Sequence, residues 1–171
     1  MEVDNVSVVV CKVNKDKIEM ASDSIVVKGW TKLNNAQNKV VKMMKYNDMI
    51  IGGCGNADEI SLFFHYMKTH TIEAMDEKSV LDFAIEFRRW KNDLTGDNSF
   101  VNPYIIAYKG KAFAIERMLV FPIDDYYAIG AGEDYASGAL YMGATSKEAV
   151  KAACELCAMV CEPIMCESIP R

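Results

Sequence analysis

The sequence predicts an α+β fold, a four-layer αββα sandwich in which two mainly antiparallel sheets face each other and a pair of helices covers each sheet. The predicted elements follow the order strands, two helices, strands, two helices. Blocks of this kind are typical of separate α and β layers rather than of alternating βαβ units. Residues 6–13 are apolar on both faces of a strand-like stretch, which indicates a strand buried on both sides.

Strands are predicted throughout the first third of the chain. Five segments share apolar or β-branched side chains and are bounded by polar residues, namely 5–13, 18–21, 24–30, 40–44 and 49–53. The polar turns at 14–17 and 46–48 join neighbouring segments and therefore predict two hairpins. Four further short strands are expected after the first helix pair, at 104–108, 112–115, around 118–121 and at 127–129.

Capping residues mark the starts of the predicted helices. Asn56, followed by Glu59, predicts the start of the first helix, and Ser79 predicts the cap of the second. Thr145 followed by Glu148 predicts a capping box. The last two helices are expected at about 134–141 and 146–161.

Length and composition favour one domain over residues 1–171 and exclude several classes of protein. The net charge is −5 without a dense block of Lys and Arg, which argues against a nucleic-acid partner. No apolar stretch approaches the roughly 20 residues that span a membrane. The N-terminus lacks the features of a signal peptide, and six cysteines are then expected to be reduced. We therefore expect a cytoplasmic protein.

Three polar residues near the N-terminus have the side chains of a hydrolytic site. Ser7, Asp23 and Lys39 lie sixteen positions apart, each beside a strand-like segment, and the glycine-rich run 52–55 follows. A hydroxyl is a weak nucleophile until a base and a nearby cation activate it. A hydroxyl, a carboxylate and an amine are the parts of an N-terminal-nucleophile hydrolase. Each residue taken singly is also compatible with a packing, turn or surface role.

The stretch from Ser7 to Phe63 resembles the proteasome β-subunit family, and HslV-type peptidases in particular. The resemblance depends on four short motifs, which are Ala21-Ser22-Asp23-Ser24, Asn38-Lys39-Val40, the run Gly52-Gly53-Cys54-Gly55 before Asn56-Ala57-Asp58, and Ala128-Ile129-Gly130-Ala131-Gly132. With the order of the elements, it extends over about the whole chain.

The resemblance implies a mechanism for these residues. Ser7 takes the position of the N-terminal nucleophile, whose own α-amine serves as the base, so residues 1–6 would be a short propeptide or an N-terminal extension. An α-amine titrates near neutral pH, which suits this role. Asp23 and Lys39 take the positions of the acid and the lysine, and a backbone N–H at Gly53 is expected to stabilise the oxyanion.

The same resemblance implies a setting for the reaction. The chain would be a subunit of a homo-oligomeric assembly of stacked rings that hydrolyses peptide bonds of unfolded polypeptides delivered by an ATP-dependent unfoldase. No metal or organic cofactor is needed.

Two alternatives remain open at this point: a catalytically silent ring subunit with a structural or binding role, and a small-molecule amidase. Three positions differ from the family pattern. Ser7 stands where threonine is typical, Val6 where glycine is typical, and Ala131 where a serine is typical.

The cysteines near the C-terminus have a simpler interpretation. Cys154, Cys157 and Cys161 follow helical spacing on an apolar face of the last predicted helix. Free cysteine packs as a small hydrophobe, so this spacing indicates a core-facing stripe rather than a metal site.

Overall fold

The computed structural model describes residues 6–29, 31–33 and 40–171. Within these ranges the chain has an α+β fold, as predicted. The strands are β1 Val9–Val13, β2 Lys17–Ser22, β3 Val27–Lys28, β4 Thr31–Lys32, β5 Met43–Tyr46, β6 Met49–Gly53, β7 Tyr104–Tyr108, β8 Lys111–Glu116, β9 Leu119–Pro122, β10 Tyr126–Ile129 and β11 Met165–Pro170. The helices are α1 Ala57–Met67, α2 Glu77–Thr95, α3 Glu133–Tyr141 and α4 Ser146–Leu156.

Two antiparallel sheets carry the fold. One has four strands in the order β10-β1-β2-β11, and the other has five strands in the order β5-β6-β7-β8-β9. Both predicted hairpins are present, with Cys11 opposite Met20 in the first and Met44 opposite Ile51 in the second. Within the described residues 24–29 of the strand predicted at 24–30, only β3 forms, and it pairs with β4.

Three apolar clusters account for the core. The first joins α1 and α2 to the five-stranded sheet through aromatic side chains such as Phe63 and Phe87. The second contains residues of both sheets, including Val9 and Ile105. The third joins the four-stranded sheet to α3 and α4 and includes Val10. Neighbouring residues of β1 therefore enter different clusters, which confirms that this strand is buried on both faces.

Two of the three predicted helix caps are confirmed. The Asn56 side chain accepts a hydrogen bond from the Glu59 N–H at 3.0 Å, and Thr145 forms a reciprocal capping box at α4. The predicted cap at Ser79 is wrong, because Asp76 caps α2 and accepts from the Ser79 N–H at 2.8 Å. Among the described helices, none has both the length and the apolar character required to cross a bilayer.

The C-terminal end differs from the prediction. Helix α4 ends at Leu156 rather than near residue 161, because Cys157 has extended backbone angles. Cys161 therefore does not share a helix face with Cys154. The chain then forms β11, which was not predicted and which pairs with β2 at the edge of the four-stranded sheet.

Candidate active site

Asp23 is the centre of a buried polar cluster at the end of β2. Its Oδ1 accepts hydrogen bonds from the Val8 N–H at 2.9 Å and from Lys42 Nζ at 2.8 Å. Its Oδ2 accepts from the Ile25 N–H and Lys42 Nζ, both at 2.9 Å, and from the Cys161 N–H at 3.3 Å. The Asp23 side chain is fully buried. These donors hold the Asp23 carboxylate in one orientation.

Lys42 is the lysine that the structure places on Asp23. It lies one residue before β5, and its side chain is only 5% exposed. The predicted partner of Asp23, Lys39, lies outside the described residues. Sequence reasoning missed Lys42, although a lysine between Val41 and Met43 in an apolar run indicates a cation directed toward the interior.

Burial and charge act on Lys42 in opposite directions. Removal from water lowers the pKa of the Lys42 ammonium from its usual value, while the Asp23 carboxylate opposes this shift. The two contacts under 3 Å to Asp23 hold the ammonium in one orientation. The pair thus supplies a fixed, dry electrostatic field next to the start of β1.

Ser7 lies directly before this cluster and has an unusual backbone. It is 5% exposed, and its φ of 115° lies in a region that side-chain-bearing residues rarely adopt. Its N–H donates to the Met159 carbonyl at 3.0 Å, and its carbonyl accepts from the Gly132 N–H at 3.2 Å. The next residue, Val8, donates to Asp23. Ser7 is therefore held on both sides, one residue away from the Asp23–Lys42 pair.

The glycine turn after β6 presents one unpaired backbone donor. The Gly53 N–H, the expected oxyanion donor, is bonded to the Lys42 carbonyl at 2.9 Å, and the Cys54 N–H to the Pro103 carbonyl at 3.3 Å. Gly55 has a φ of 110°, and within residues 6–29, 31–33 and 40–171 its N–H has no hydrogen-bond partner. Gly55, rather than Gly53, therefore offers a free N–H at this turn.

Gly130 allows this turn and Ser7 to approach each other. A Cβ at Gly130 would lie 2.5 Å from the Ser7 carbonyl oxygen and 2.8 Å from Cys54 Sγ. The Cys54 thiol lies 3.5 Å from the Ile129 carbonyl. The second glycine motif predicted from the sequence thus forms the junction between Ser7 and the first, and Gly132 opens α3 beyond it.

A cavity of about 690 Å³ adjoins this junction. Gly55, Asn56 and Gly130 form one part of its wall, and Glu116, Arg117 and Glu133 are among the others that line it. The volume is within the usual range of ligand sites. The free Gly55 N–H therefore belongs to a residue that borders a space large enough for part of a peptide.

Two carboxyl groups in this cavity are shifted toward their neutral forms. Burial raises the pKa of Glu116 above its ordinary value, although the Tyr127 hydroxyl donates to it at 3.3 Å. Burial also raises the pKa of Glu133, and the negative charge of Glu116 adds to the effect. Ionised Glu116 is thus less favourable in the folded chain than in water.

We expect Glu116→Gln to raise the thermal unfolding midpoint at pH 7. The folded-state pKa of Glu116 is raised above 4.5, so the folded chain loses stability as the pH rises through that raised value. The unfolded carboxyl is half protonated at about pH 4.5 and mostly protonated at pH 4, so most of the advantage of glutamine should disappear there. Thermal unfolding at pH 7 and pH 4 measures this, with the exposed Glu155→Gln as a control. An equal gain at both pH values would contradict the expectation.

Cys11 and Cys154 pack against apolar clusters, whereas Cys166 is exposed. Cys11 belongs to the cluster between the sheets, and burial raises the pKa of its thiol. Burial also raises the pKa of Cys154 to about 11. Across the described ranges, no group of three or more His, Cys, Asp or Glu side chains is arranged to hold a metal ion.

Solved structures with the same fold are known, although no family model and no curated protein matches the sequence. Thiobacillus denitrificans BPH in complex with epoxomicin has a TM-score of 0.84 at 17% identity, covering 95% of this chain and 98% of that one. BPH alone gives the same TM-score and identity, with 97% of that chain covered.

A eukaryotic HslV from Trypanosoma brucei also shares the fold. It has a TM-score of 0.73 at 16% identity, covering 96% of this chain and 99% of that one. The resemblance to HslV-type structures inferred from the sequence is thus confirmed at the level of the fold.

Proposed function

We propose that this chain is a subunit of a self-compartmentalised peptidase that hydrolyses peptide bonds of unfolded proteins, with Ser7 as its N-terminal nucleophile after residues 1–6 are removed. One observation carries the proposal above all. A buried Asp23–Lys42 ion pair, with contacts of 2.8 and 2.9 Å, lies against the N–H of the residue that follows Ser7.

The reaction begins with the α-amine that cleavage of the Val6–Ser7 bond releases. This amine takes the proton from Ser7 Oγ, and the oxygen attacks the carbonyl carbon of the substrate. The resulting ammonium then protonates the leaving amine, which leaves an ester between Ser7 and the acyl part of the peptide. Water, activated by the same amine, hydrolyses the ester and restores Ser7.

The surrounding groups assist these steps. The Met159 carbonyl, which accepts from the Ser7 N–H at 3.0 Å, is positioned to hold the released amine. The Lys42 ammonium stabilises negative charge that develops on the serine oxygen. In place of Gly53, we assign the free Gly55 N–H as the oxyanion donor, because such donors act without reorganisation in a preformed site.

The backbone of Ser7 supports cleavage at its own N-terminal bond. A non-glycine residue with a φ of 115° costs of order 1–3 kcal/mol and persists only where the surroundings impose it. Here the Met159 carbonyl, which accepts from the Ser7 N–H, and the Gly132 N–H, which donates to the Ser7 carbonyl, impose it. This strain at Ser7 favours cleavage of the Val6–Ser7 bond, which lies before β1.

The remaining expectations form part of the same proposal. Residues 1–171 would be one domain, with 1–6 as the propeptide, in a cytoplasmic assembly of stacked homo-oligomeric rings fed by an ATP-dependent unfoldase. The layers would follow the order α1 and α2, five-stranded sheet, four-stranded sheet, α3 and α4, which the three apolar clusters support. Coverage of 98% and 99% of the solved chains supports the same domain organisation.

We expect Ser7→Ala to abolish hydrolysis of a fluorogenic peptide, by a factor on the order of 10³ or more, because the nucleophile is lost. The exposed Ser168→Ala on β11 is the matched control and should leave the rate unchanged. The intact mass of protein from its native source should correspond to loss of residues 1–6.

Two outcomes would contradict the proposal. Unchanged turnover in Ser7→Ala would remove Ser7 from the reaction. Retention of residues 1–6 in the native assembly would instead indicate a silent ring subunit. As a binding test, epoxomicin, which BPH holds in its complex, should raise the thermal midpoint of the mature chain.

A further inference from the structure

We propose that Asn102 is a positioning residue that holds the Gly55–Asn56 turn, and with it the Gly55 N–H, in place for peptide hydrolysis. This inference rests on the proposed function. Asn102 lies just before β7, far from Ser7 in sequence, and takes no part in the chemistry described above. Asn102 is one of the residues that line the cavity, yet it is only 2% exposed.

The Asn102 amide pairs with the backbone of Asn56 on both sides. Its Oδ1 accepts from the Asn56 N–H at 2.8 Å, and its Nδ2 donates to the Asn56 carbonyl at 2.8 Å. Gly55 packs so closely that a Cβ there would collide with Asn102 Oδ1. The Asn102 side chain therefore holds both the position and the orientation of the Gly55–Asn56 turn.

Glu59 and Tyr104 in their turn hold Asn102 in position through hydrogen bonds. The Asn102 N–H donates to Glu59 Oε1 at 3.1 Å, and the Asn102 Nδ2 donates to the Tyr104 hydroxyl at 3.3 Å. That hydroxyl donates to the same Glu59 oxygen at 3.0 Å. The Asn56 carbonyl and the Tyr104 hydroxyl both accept from Nδ2. A flipped amide would place its oxygen against the Asn56 carbonyl, so these bonds fix the orientation of the Asn102 amide.

A buried ion pair between Lys91 and Glu59 supports the hydrogen bonds of Asn102 and Tyr104. Lys91 Nζ donates to Glu59 Oε2 at 3.2 Å, and the two side chains are 2% and 4% exposed. Lys91 also contacts Asp97 at 2.9 Å and Ser99 at 3.0 Å. Burial of paired charges is weak evidence for stability. Glu59 of the Lys91–Glu59 pair also accepts from Tyr104 and Asn102, so we assign the pair the role of holding the Gly55–Asn56 turn through Asn102.

The held turn continues directly into the active site. Gly53 is bonded to the Lys42 carbonyl, and Cys54 contacts Gly130 beside Ser7. A shift of Asn56 would therefore move the Gly55 N–H relative to Ser7. Displacement of a catalytic group by about 1 Å costs on the order of 10²-fold in rate.

Amide hydrogen exchange on the full chain tests the positional part. Asn102→Asp removes both Nδ2 donor bonds and places negative charge near Glu59, so exchange of the hydrogen-bonded backbone amides of Cys54 and Asn56 should become at least tenfold faster. Asn98→Asp, the same change at an exposed position of the same loop, should leave these amides unchanged. Equal protection of the Cys54 and Asn56 amides in Asn102→Asp and wild type would overturn the proposal.

Peptide hydrolysis tests the catalytic part. We expect Asn102→Asp to lower kcat at least tenfold with KM changed less than twofold, since the oxyanion donor acts in the transition state. An unchanged kcat despite faster exchange would overturn the proposal. If Asn102→Asp does not fold, Tyr104→Phe removes one bond each from Asn102 and Glu59 and should show smaller changes in the same directions. An inactive wild-type chain would refute the proposed function, while exchange would still show whether Asn102 holds the turn.

Discussion

We expect Lys42→Met to abolish peptide hydrolysis and to lower the free energy of unfolding by about 3–5 kcal/mol. Methionine has similar length but no charge, so it would leave the Asp23 carboxylate buried without its ammonium partner. Removal of one member of a buried pair costs about this much, because the remaining charge is uncompensated. Urea unfolding and hydrolysis of a fluorogenic peptide measure the two effects.

Lys39→Met is the matched control for this experiment. The even spacing of Ser7, Asp23 and Lys39 predicts that Lys39 is the catalytic lysine, whereas the structure pairs Asp23 with Lys42 at 2.8 Å. If Lys42 has the role, Lys39→Met should leave hydrolysis unchanged and should lower the free energy of unfolding much less than Lys42→Met does. Loss of activity in Lys39→Met with retention in Lys42→Met would restore the assignment based on spacing.

A double mutant separates the pair from its surroundings. Asp23→Asn alone should destabilise the chain, since Lys42 then lacks its counter-charge. In the Lys42→Met background the same change should cost less, because it removes the stranded carboxylate. Equal costs in both backgrounds would indicate that the ion pair contributes nothing to the free energy of unfolding.

The predictable part of the fold depends on local signals. Asn56 and Thr145 each bond to a backbone N–H three residues ahead, so a short stretch of sequence contains all the information. The hairpin of β1 and β2 is equally local. Ser79 shows the limit of such reasoning. It lies in the first turn of α2, but Asp76, three residues earlier, also has a capping side chain and makes the bond.

Strand β11 could not be predicted because nothing in its own sequence demands it. Of Met165–Pro170, only Ile169 is buried, so the segment lacks the alternation that marks a half-buried strand. Its order comes from pairing with β2, which lies at the other end of the chain. The end of α4 at Leu156 is set by the same need, because the chain must leave the helix to reach that edge.

The Asp23–Lys42 pair and the free Gly55 N–H could not be predicted for a related reason. Counting positions from Asp23 assumes a loop of fixed length, whereas the lysine that Asp23 binds lies nineteen positions further along the chain. Gly53 and Gly55 lie in the same glycine-rich run, and the sequence alone does not show which of them has an unpaired N–H. The bond from the Gly53 N–H to the Lys42 carbonyl shows that the Gly53 N–H is already paired. This bond joins two segments whose pairing cannot be predicted from the sequence.

We expect Gly130→Ala to destabilise the chain by about 2–5 kcal/mol and to abolish activity. Two terms contribute. The φ of 99° imposes roughly 1–2 kcal/mol on any residue with a Cβ. The added methyl would also lie 2.5 Å from the Ser7 carbonyl oxygen and 2.8 Å from Cys54 Sγ, and forced overpacking costs about 1–3 kcal/mol. Urea unfolding gives the sum of both.

Gly143→Ala separates these two terms. Gly143 has nearly the same φ, 97°, but a Cβ there would meet nothing within 4 Å, so only the backbone cost of about 1–2 kcal/mol should appear. The excess loss in Gly130→Ala then measures how tightly Ser7 and Cys54 approach through Gly130. Equal losses in the two variants, with activity retained in both, would show that this junction tolerates a methyl group. In that case the position of Ser7 would not depend on contact across Gly130.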